Sequence, residues 1–259
     1  MADTNTITRD LHNFTRIDLR GAGHIHLAQD ADFSFDITAE NHILDLIETF
    51  VEDDTLVIRF VEGTKRVQTD KKIEYHITMP VIGGVKISGG GSLQCERIAG
   101  KSFKLNLPGG STVTIGSIAV ADFVLGVQGG SKVTMDSVQT GTATMNIPGS
   151  LNMTLGELNA DQLNMTVQGT ANINIAGRVI SQTLDVLGVV NIKAEKLQSD
   201  HAKVKSLGMS NITLWVYETL DAIISGAGNI KYYGDPNVKK SVSGFGKVKR
   251  LGMSPAQVV

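Results

Sequence analysis

The chain has 259 residues and a formal net charge of −2, which argues against nucleic acid or an anionic membrane surface as its main partner. Glycine is frequent, at 28 residues, whereas only 19% of residues are charged and 5% aromatic, a composition typical of a turn-rich β protein. Apolar residues reach 41%, which excludes disorder, and no run approaches the roughly 18 apolar residues of a transmembrane helix. Cys95 is the single cysteine, so an intramolecular disulfide framework is excluded.

The N-terminal third of the chain predicts short strands without a regular period. Residues 1–13 are expected to form a flexible tail; they lack the segments of a signal peptide, so we expect either a cytoplasmic chain or a leader already removed. Residues 14–88 are expected to form a β-rich cap that packs on the array that follows. The acidic stretch at 51–55 predicts a hairpin turn within it. Apolar and polar residues alternate, as in strands, at 14–19, 24–27, 33–38, 55–60 and 73–78.

From residue 89 onward a short phrase that begins with glycine recurs about every 20 residues. The successive spacings are 20, 20, 20, 20, 19, 20, 18 and 18, which indicates a repeat array. We call these residues the repeat glycines: Gly89, Gly109, Gly129, Gly149, Gly169, Gly188, Gly208, Gly226 and Gly244.

Each repeat contains two alternating runs and no segment long enough for a helix. Residues four and six positions after the repeat glycine are apolar, as in Ile173 and Ile175, with a polar residue between them. A second run follows, such as Phe123, Leu125 and Val127. The leucine–asparagine consensus of leucine-rich repeats is absent, so the pattern predicts an all-β, parallel β-solenoid over 89–250. We expect a right-handed, β-helix-like solenoid with coils of about 20 residues and a C-terminal tail at 251–259.

An asparagine lies three positions after five of the repeat glycines. We expect these asparagines to stack about 4.8 Å apart at a buried corner, each amide bonding to the next. The repeat glycines are expected to supply the left-handed backbone conformation of that corner. The asparagines are Asn152, Asn172, Asn191, Asn211 and Asn229.

Few residues suggest a metal-binding, catalytic or cofactor-binding site. His24 and His26 share a strand face and could join His76, but no nearby cysteine or acidic spacing matches a known ligand set, so no metal site is expected. Cys95 occupies the inward sixth position of its coil and is expected to be a core residue. Nucleophile, phosphate-loop, dinucleotide and paired-carboxylate motifs are absent, so we expect no catalytic residue and no cofactor.

Two surface features remain near the C-terminus. Trp215 and Tyr233 both lie seven positions after their repeat glycines and would form a flat platform for a sugar ring or a partner's apolar patch. The alternative is that residues 233–242 fold back and cover them. The basic residues near the end are expected to protect the last strand edge, or else to contact an anionic surface or glycan. They are Lys239, Lys240, Lys247, Lys249 and Arg250.

Together these stretches resemble the bacterial family of putative auto-transporter adhesins with a head GIN domain, over residues 14–250. The matching stretches are FTRIDLRGAGHIHL (14–27), DDTLVIRF (53–60), HITMPVIGGVKISGGGSL (76–93) and SGAGNIKYYGDP (225–236). The resemblance implies a β-helix-like fold and export to the cell envelope or secretion. It implies no catalytic residues.

Three functions are compatible with this interpretation. The favoured one is a non-enzymatic adhesion or scaffolding module of the cell envelope, whose partner is a surface glycan, another protein or a second copy of the chain. The alternatives are a carbohydrate-active enzyme on a β-helix scaffold, and a cytoplasmic solenoid that assembles with itself.

Overall fold

The computed structural model of the protein describes residues 4–64 and 67–255, which form a single sheet of 18 strands and one short helix. The predicted parallel β-solenoid is confirmed. The cap contains β1 Thr4–Thr8, β2 Arg16–Leu19, β3 Gly23–Gln29, β4 Ser34–Glu40, α1 Asn41–Leu44, β5 Ile47–Glu52, β6 Thr55–Phe60, β7 Glu74–Met79 and β8 Gly84–Ile87. The array contains β9 Gly91–Leu107, β10 Ser111–Val127, β11 Gly130–Ile147, β12 Ser150–Val167, β13 Thr170–Val186, β14 Val189–Ser206, β15 Met209–Gly226, β16 Asn229–Tyr233, β17 Asn237–Gly244 and β18 Lys247–Gly252.

Each of the strands β9 to β15 is one bent coil of 17 or 18 residues, paired in parallel with the coils on either side. The residues four and six positions after the repeat glycines face inward, and Ile173, Ile192 and Ile212 form one buried column as predicted. Pairing continues between the two predicted runs, where Ile118 lies beside Val138. A coil is therefore one continuous strand with corners rather than two separate strands. The right-handed twist of the coils stays a prediction.

The repeat glycines have a different structural role from the predicted left-handed corner. Among them only Gly244 has φ in the left-handed region, at 127°. The others are needed because the coils approach each other closely. A Cβ on Gly226 would lie 2.7 Å from the Gly208 carbonyl oxygen, and Gly109, Gly129 and the rest of the series meet the coil below at a similar or shorter distance. No side chain fits in that space.

The asparagine column also differs from the prediction. The asparagines do stack in register, and Nδ2 of Asn172 donates to Oδ1 of Asn152 at 3.3 Å. Asn229 donates to Asn211 in the same way at 3.4 Å. Their side chains, however, lie on the outer surface and are exposed or half-exposed, so the buried corner was wrong. Successive side chains of a strand point to opposite faces, and the next residue in each coil faces the core.

The cap continues the solenoid and closes its N-terminal end. β2 and β3 act as an early coil, because β2 pairs in parallel with β6 and β8, and β3 pairs in parallel with β7 and β9. The predicted hairpin turn joins β5 to β6, with Asp53 and Asp54 in the left-handed region. β4 pairs antiparallel to β7, and β1 pairs antiparallel to β4. Residues Thr4–Thr8 of the expected flexible tail are thus an edge strand.

The C-terminal end of the solenoid consists of the three short strands β16, β17 and β18. β17 pairs with β15, and β18 pairs with β16, so β18 extends to Gly252 and into the expected tail. Lys240 is in register with buried Ala222, and Arg250 with half-buried Tyr232. The basic cluster therefore lies on the last two strands, at both outward and core-side positions. Within the ranges 4–64 and 67–255, no helix is long and apolar enough to cross a membrane.

Candidate binding surface

The first straight segment of each coil carries two outward columns of side chains, three and five positions after the repeat glycine. We call this surface the column face. Because the coils pair in register, Thr134 lies beside Thr154 and Asn152 beside Asn172, at the strand spacing of about 4.8 Å. Most of its residues are uncharged hydrogen-bonding groups, and its five lysines include three in the last two coils. The first column is Ser92, Thr112, Lys132, Asn152, Asn172, Asn191, Asn211, Asn229 and Lys247; the second is Gln94, Thr114, Thr134, Thr154, Asn174, Lys193, Thr213, Lys231 and Lys249.

Aromatic residues lie beside the column face near its C-terminal end. Trp215 and Tyr233 are in register on β15 and β16, and both are half-buried. Tyr217, which the sequence analysis did not single out, is 41% exposed, and its ring centroid lies 5.7 Å from that of Trp215. We call Trp215, Tyr217 and Tyr233 the aromatic corner. In the sequence, Tyr217 can be recognised because it alternates with Trp215 on one strand. A comparison of equivalent positions in successive coils does not reveal Tyr217.

The main chain of Trp215 takes part in a small polar network. Its carbonyl oxygen accepts a hydrogen bond from Ser199 Oγ at 3.2 Å, and Ser199 Oγ accepts one from Gln182 Nε2 at 2.8 Å. The indole Nε1 is buried and has no hydrogen-bond partner among the described residues. The indole ring therefore has one buried edge and one accessible side.

Residues 233–242 do not fold back over the aromatic corner. They turn at Gly234, where φ is +103° and a Cβ would overlap the Val216 carbonyl oxygen, and they continue as β17 beside β15. The Gly234 amide donates to the Gly252 carbonyl at 2.9 Å, which ties this turn to β18. The alternative of a covering tail was wrong, because the tail forms the next coil.

At the opposite end of the column face, the cap brings two histidines together. His26 on β3 is in register with His76 on β7, and their rings stack with centroids 4.6 Å apart at an angle of 9°. Glu74 lies between their tips: Oε1 is 4.0 Å from His26 Nε2, and Oε2 is 3.9 Å from His76 Nε2. His24 does not join them, because its Nδ1 lies 2.6 Å from Ser92 Oγ. Sequence reasoning named the histidines but missed Glu74.

A groove of about 690 Å³ opens beside the histidine pair, where β9 bends away from β3 and β7. Gln94, Glu96 and Arg97 line its other side. Gln29 braces the bend, because its side-chain amide both donates to the Ala99 carbonyl and accepts from the Ala99 amide, each at 2.8 Å. The side chain replaces the neighbouring strand that Ala99 lacks, and it holds the groove open.

Cys95 lies below this groove and faces the core, as predicted, with 3% of its surface exposed. Burial raises the pKa of its thiol to about 11. Its Sγ donates a weak hydrogen bond to the Arg97 carbonyl at 3.4 Å. A buried, protonated thiol is a poor nucleophile, so the geometry gives Cys95 a packing role.

A second groove, of about 730 Å³, lies on another side of the solenoid and contains a buried carboxylate. Asp18 is 5% exposed, and its Oδ2 accepts from Arg20 Nε at 2.8 Å and from Lys86 Nζ at 3.1 Å. The two cations compensate the carboxylate within the protein, so this cluster stabilises the junction of β2 with β8 rather than presenting a free charge. In the sequence, Asp18 is one polar residue in an alternating run, which gives no sign of its burial.

Comparisons with known proteins agree with this architecture. Solved structures described as putative adhesins from Parabacteroides merdae and Parabacteroides distasonis are similar, each with a TM-score of 0.67, at 20% and 18% identity. The match covers 96% of this chain with 95% of the first and 98% of the second. A structure described as a putative lipid binding protein from P. distasonis is similar with a TM-score of 0.62 at 19% identity, covering 96% of this chain and 97% of that one. At these identities the likeness shows the fold alone. The search of curated proteins gave no match.

The comparison with protein families covers most of the sequence. A family model matches residues 13–150 and 123–236, which together span β2 to β16 and include the aromatic corner. The family resemblance is thereby confirmed, over residues 13–236 rather than to residue 250. The chain belongs to the family described as "Putative auto-transporter adhesin, head GIN domain".

Proposed function

We propose that the protein is a non-enzymatic adhesion module of the cell envelope that binds a surface glycan at the aromatic corner. The observation that carries this proposal is the position of the aromatic corner beside the column face. Of the five tryptophan and tyrosine residues in the chain, one Trp and four Tyr, three lie at this corner. Such a concentration in an otherwise aromatic-poor chain favours a ligand-contact role.

The surroundings of the aromatic corner suit a sugar. Aromatic faces pack against the apolar face of a pyranose ring, while neighbouring amides, hydroxyls and ammonium groups bond to its hydroxyls. Asn211 and Asn229, already linked side chain to side chain, lie on the same strands as Trp215 and Tyr233. Thr213 and Lys231 lie between them in register. The continuous β pairing keeps these groups in place, which lowers the entropic cost of binding.

The family description supports an adhesive role and a location at the cell envelope. The composition of the column face supports a non-enzymatic role. Proton-transfer catalysis of glycosidic cleavage uses paired carboxylates about 5–10 Å apart. Among its array residues from Ser92 to Lys249, the column face carries hydroxyls, amides and lysines and no acidic residue.

The experiment is glycan-array binding by the tag-free protein, followed by titration of the best ligand. Tyr217→Ala and Tyr233→Ala should each weaken binding about tenfold, because they remove exposed contact area without emptying the core. Phe245→Ala is the matched control, since Phe245 is 94% exposed and lies in the turn between β17 and β18. Binding that the corner variants leave unchanged would overturn the assignment of the surface. Release of reducing ends from a polysaccharide panel would overturn the non-enzymatic role.

A further inference from the structure

We propose that His26, Glu74 and His76 form a binding site for a borderline divalent cation such as Zn²⁺. The site belongs to the N-terminal end of the column face and is independent of the aromatic corner. The three side chains come from two adjacent parallel strands, and one ligand atom from each lies within 4.8 Å of the others.

The separations of these atoms point to a space for an ion. The Glu74 oxygens lie 4.0 and 3.9 Å from the two imidazole Nε2 atoms, too far for hydrogen bonds. Ligands of a tetrahedral Zn²⁺ lie about 2.0–2.2 Å from the metal, which places them roughly 3.3–3.6 Å from one another. The two Glu74–imidazole separations therefore need to shorten by well under 1 Å. The imidazole rings, which stack at an angle of 9°, must also rotate so that the in-plane lone pairs of both Nε2 atoms point at one ion.

The donor set has the chemistry of a zinc site. Two neutral imidazoles and one carboxylate are the protein ligands of several zinc centres, in which the fourth position holds water or a bound ligand. The carboxylate offsets half of the charge of the ion. The adjacent groove, with Gln94, Glu96 and Arg97 on its other side, leaves space for that fourth ligand.

The surrounding hydrogen bonds also favour these three residues over their neighbours. His24 is on the same face of β3 but is engaged by Ser92. Asp36, on β4, is in register with His76, and Oδ1 of Asp36 accepts a hydrogen bond from Thr8 Oγ1 at 2.6 Å. Both neighbours would have to give up a hydrogen bond to join the stacked pair.

Isothermal titration of the tag-free protein with Zn²⁺ tests the proposal, with one ion per chain expected. His26→Ala and His76→Ala should each weaken binding by at least about tenfold, and Glu74→Gln should do so while keeping the side-chain shape. Two controls are available. His24→Ala removes the neighbouring histidine, and His201→Ala removes a histidine that lies 3.6 Å from Glu218 without a second imidazole. Both controls should bind as the unaltered protein does.

Substitution with Co²⁺ gives a second readout that does not depend on affinity. A site with two nitrogen ligands and one oxygen should produce the intense visible bands of low-coordinate Co²⁺, and these bands should disappear in the His26→Ala/His76→Ala double variant. Circular dichroism of each variant verifies that it is folded. The proposal is overturned if the double variant binds as much Zn²⁺ as the unaltered protein, or if His201→Ala causes the same loss.

Discussion

Gly129 lies directly over Gly109 in the neighbouring coil, so closely that a Cβ on Gly129 would come within 2.6 Å of the Gly109 carbonyl carbon. A Cβ on the next residue, Gly130, would have no heavy atom within 4 Å. Two adjacent glycines in one coil therefore have opposite tolerance for a side chain, and this contrast gives a direct test of the stacking.

Gly129→Ala should destabilise the protein by about 1–3 kcal/mol or more, because the added methyl group forces two coils apart. Gly130→Ala should change the free energy of unfolding by less than about 0.5 kcal/mol. Urea denaturation of the two variants measures both values. Equal stabilities would contradict the close approach of the coils at this column.

A buried asparagine column predicts that Asn191→Leu destabilises more than Thr134→Val, and the outward position of the asparagines removes that difference. Asn191 is half-exposed on the column face, so Asn191→Leu should cost less than about 0.5 kcal/mol, as should Thr134→Val on the same face. A buried amide would instead cost about 1–3 kcal/mol when its neighbours lose their partner. The melting temperatures of the two variants should agree closely, and a much lower value for Asn191→Leu would indicate that the asparagine is buried after all.

Cys95 should make stability depend on alkaline pH. Burial raises the pKa of its thiol from 9.0 to about 11 in the folded protein. Between these values the unfolded chain loses the thiol proton first, so it binds fewer protons than the folded chain and stability falls as the pH rises. The stabilising contribution is complete below pH 9 and is lost as the pH rises through 11.

The measurement is the free energy of unfolding in urea at pH 8 and pH 10 for the unaltered protein and for Cys95→Val. The valine variant should lose less stability across this interval. The pKa of the buried Tyr75 phenol is also raised by burial, but Tyr75 is present in both proteins and cancels. An identical pH dependence would argue that the thiol is accessible, as would rapid reaction of the folded protein with a thiol reagent.

Trp215 is the only tryptophan, so its fluorescence reports on the aromatic corner. Because the ring is half-buried and its Nε1 is enclosed, the emission should be blue-shifted from that of free tryptophan and iodide should quench it only partly. Tyr217→Ala should increase the quenching, because Tyr217 lies against the indole ring. Complete protection from iodide in the unaltered protein would exclude Trp215 as a contact residue.

Periodicity predicted the architecture well, because one pattern repeated in every coil. The inward columns, the parallel stacking and the Asp53–Asp54 turn all follow from local sequence. Two explanations failed for physical reasons. A repeated glycine is compatible with either a left-handed backbone or a close approach, and only coordinates distinguish them. The next residue after each asparagine faces inward, so the alternation of a strand places the asparagine itself outward and contradicts a buried corner.

The candidate sites depended on contacts that the repeat does not encode. Glu74 and His76 meet His26 only because β7 pairs with β3 across about 50 intervening residues of irregular cap. β1 has five mostly exposed residues and no apolar alternation, so nothing in Thr4–Thr8 predicted its pairing with β4. Tyr217 lies beyond the stretch in which the coils can be aligned position by position, since β14 and β15 change register between Ala194 and Gln198.

The glycine stacking also fixes how the molecule can change in length. Each repeat glycine must meet the carbonyl of the coil below, so a change of a few residues within a coil is absorbed as a register shift, as between Ala194 and Gln198, whereas the number of coils changes only by whole coils. The histidine pair and Trp215 are seven coils apart, about 34 Å at 4.8 Å per coil. That separation can therefore vary among homologous rods only in increments of one strand spacing, so the number of coils sets the distance between the two ends of the array.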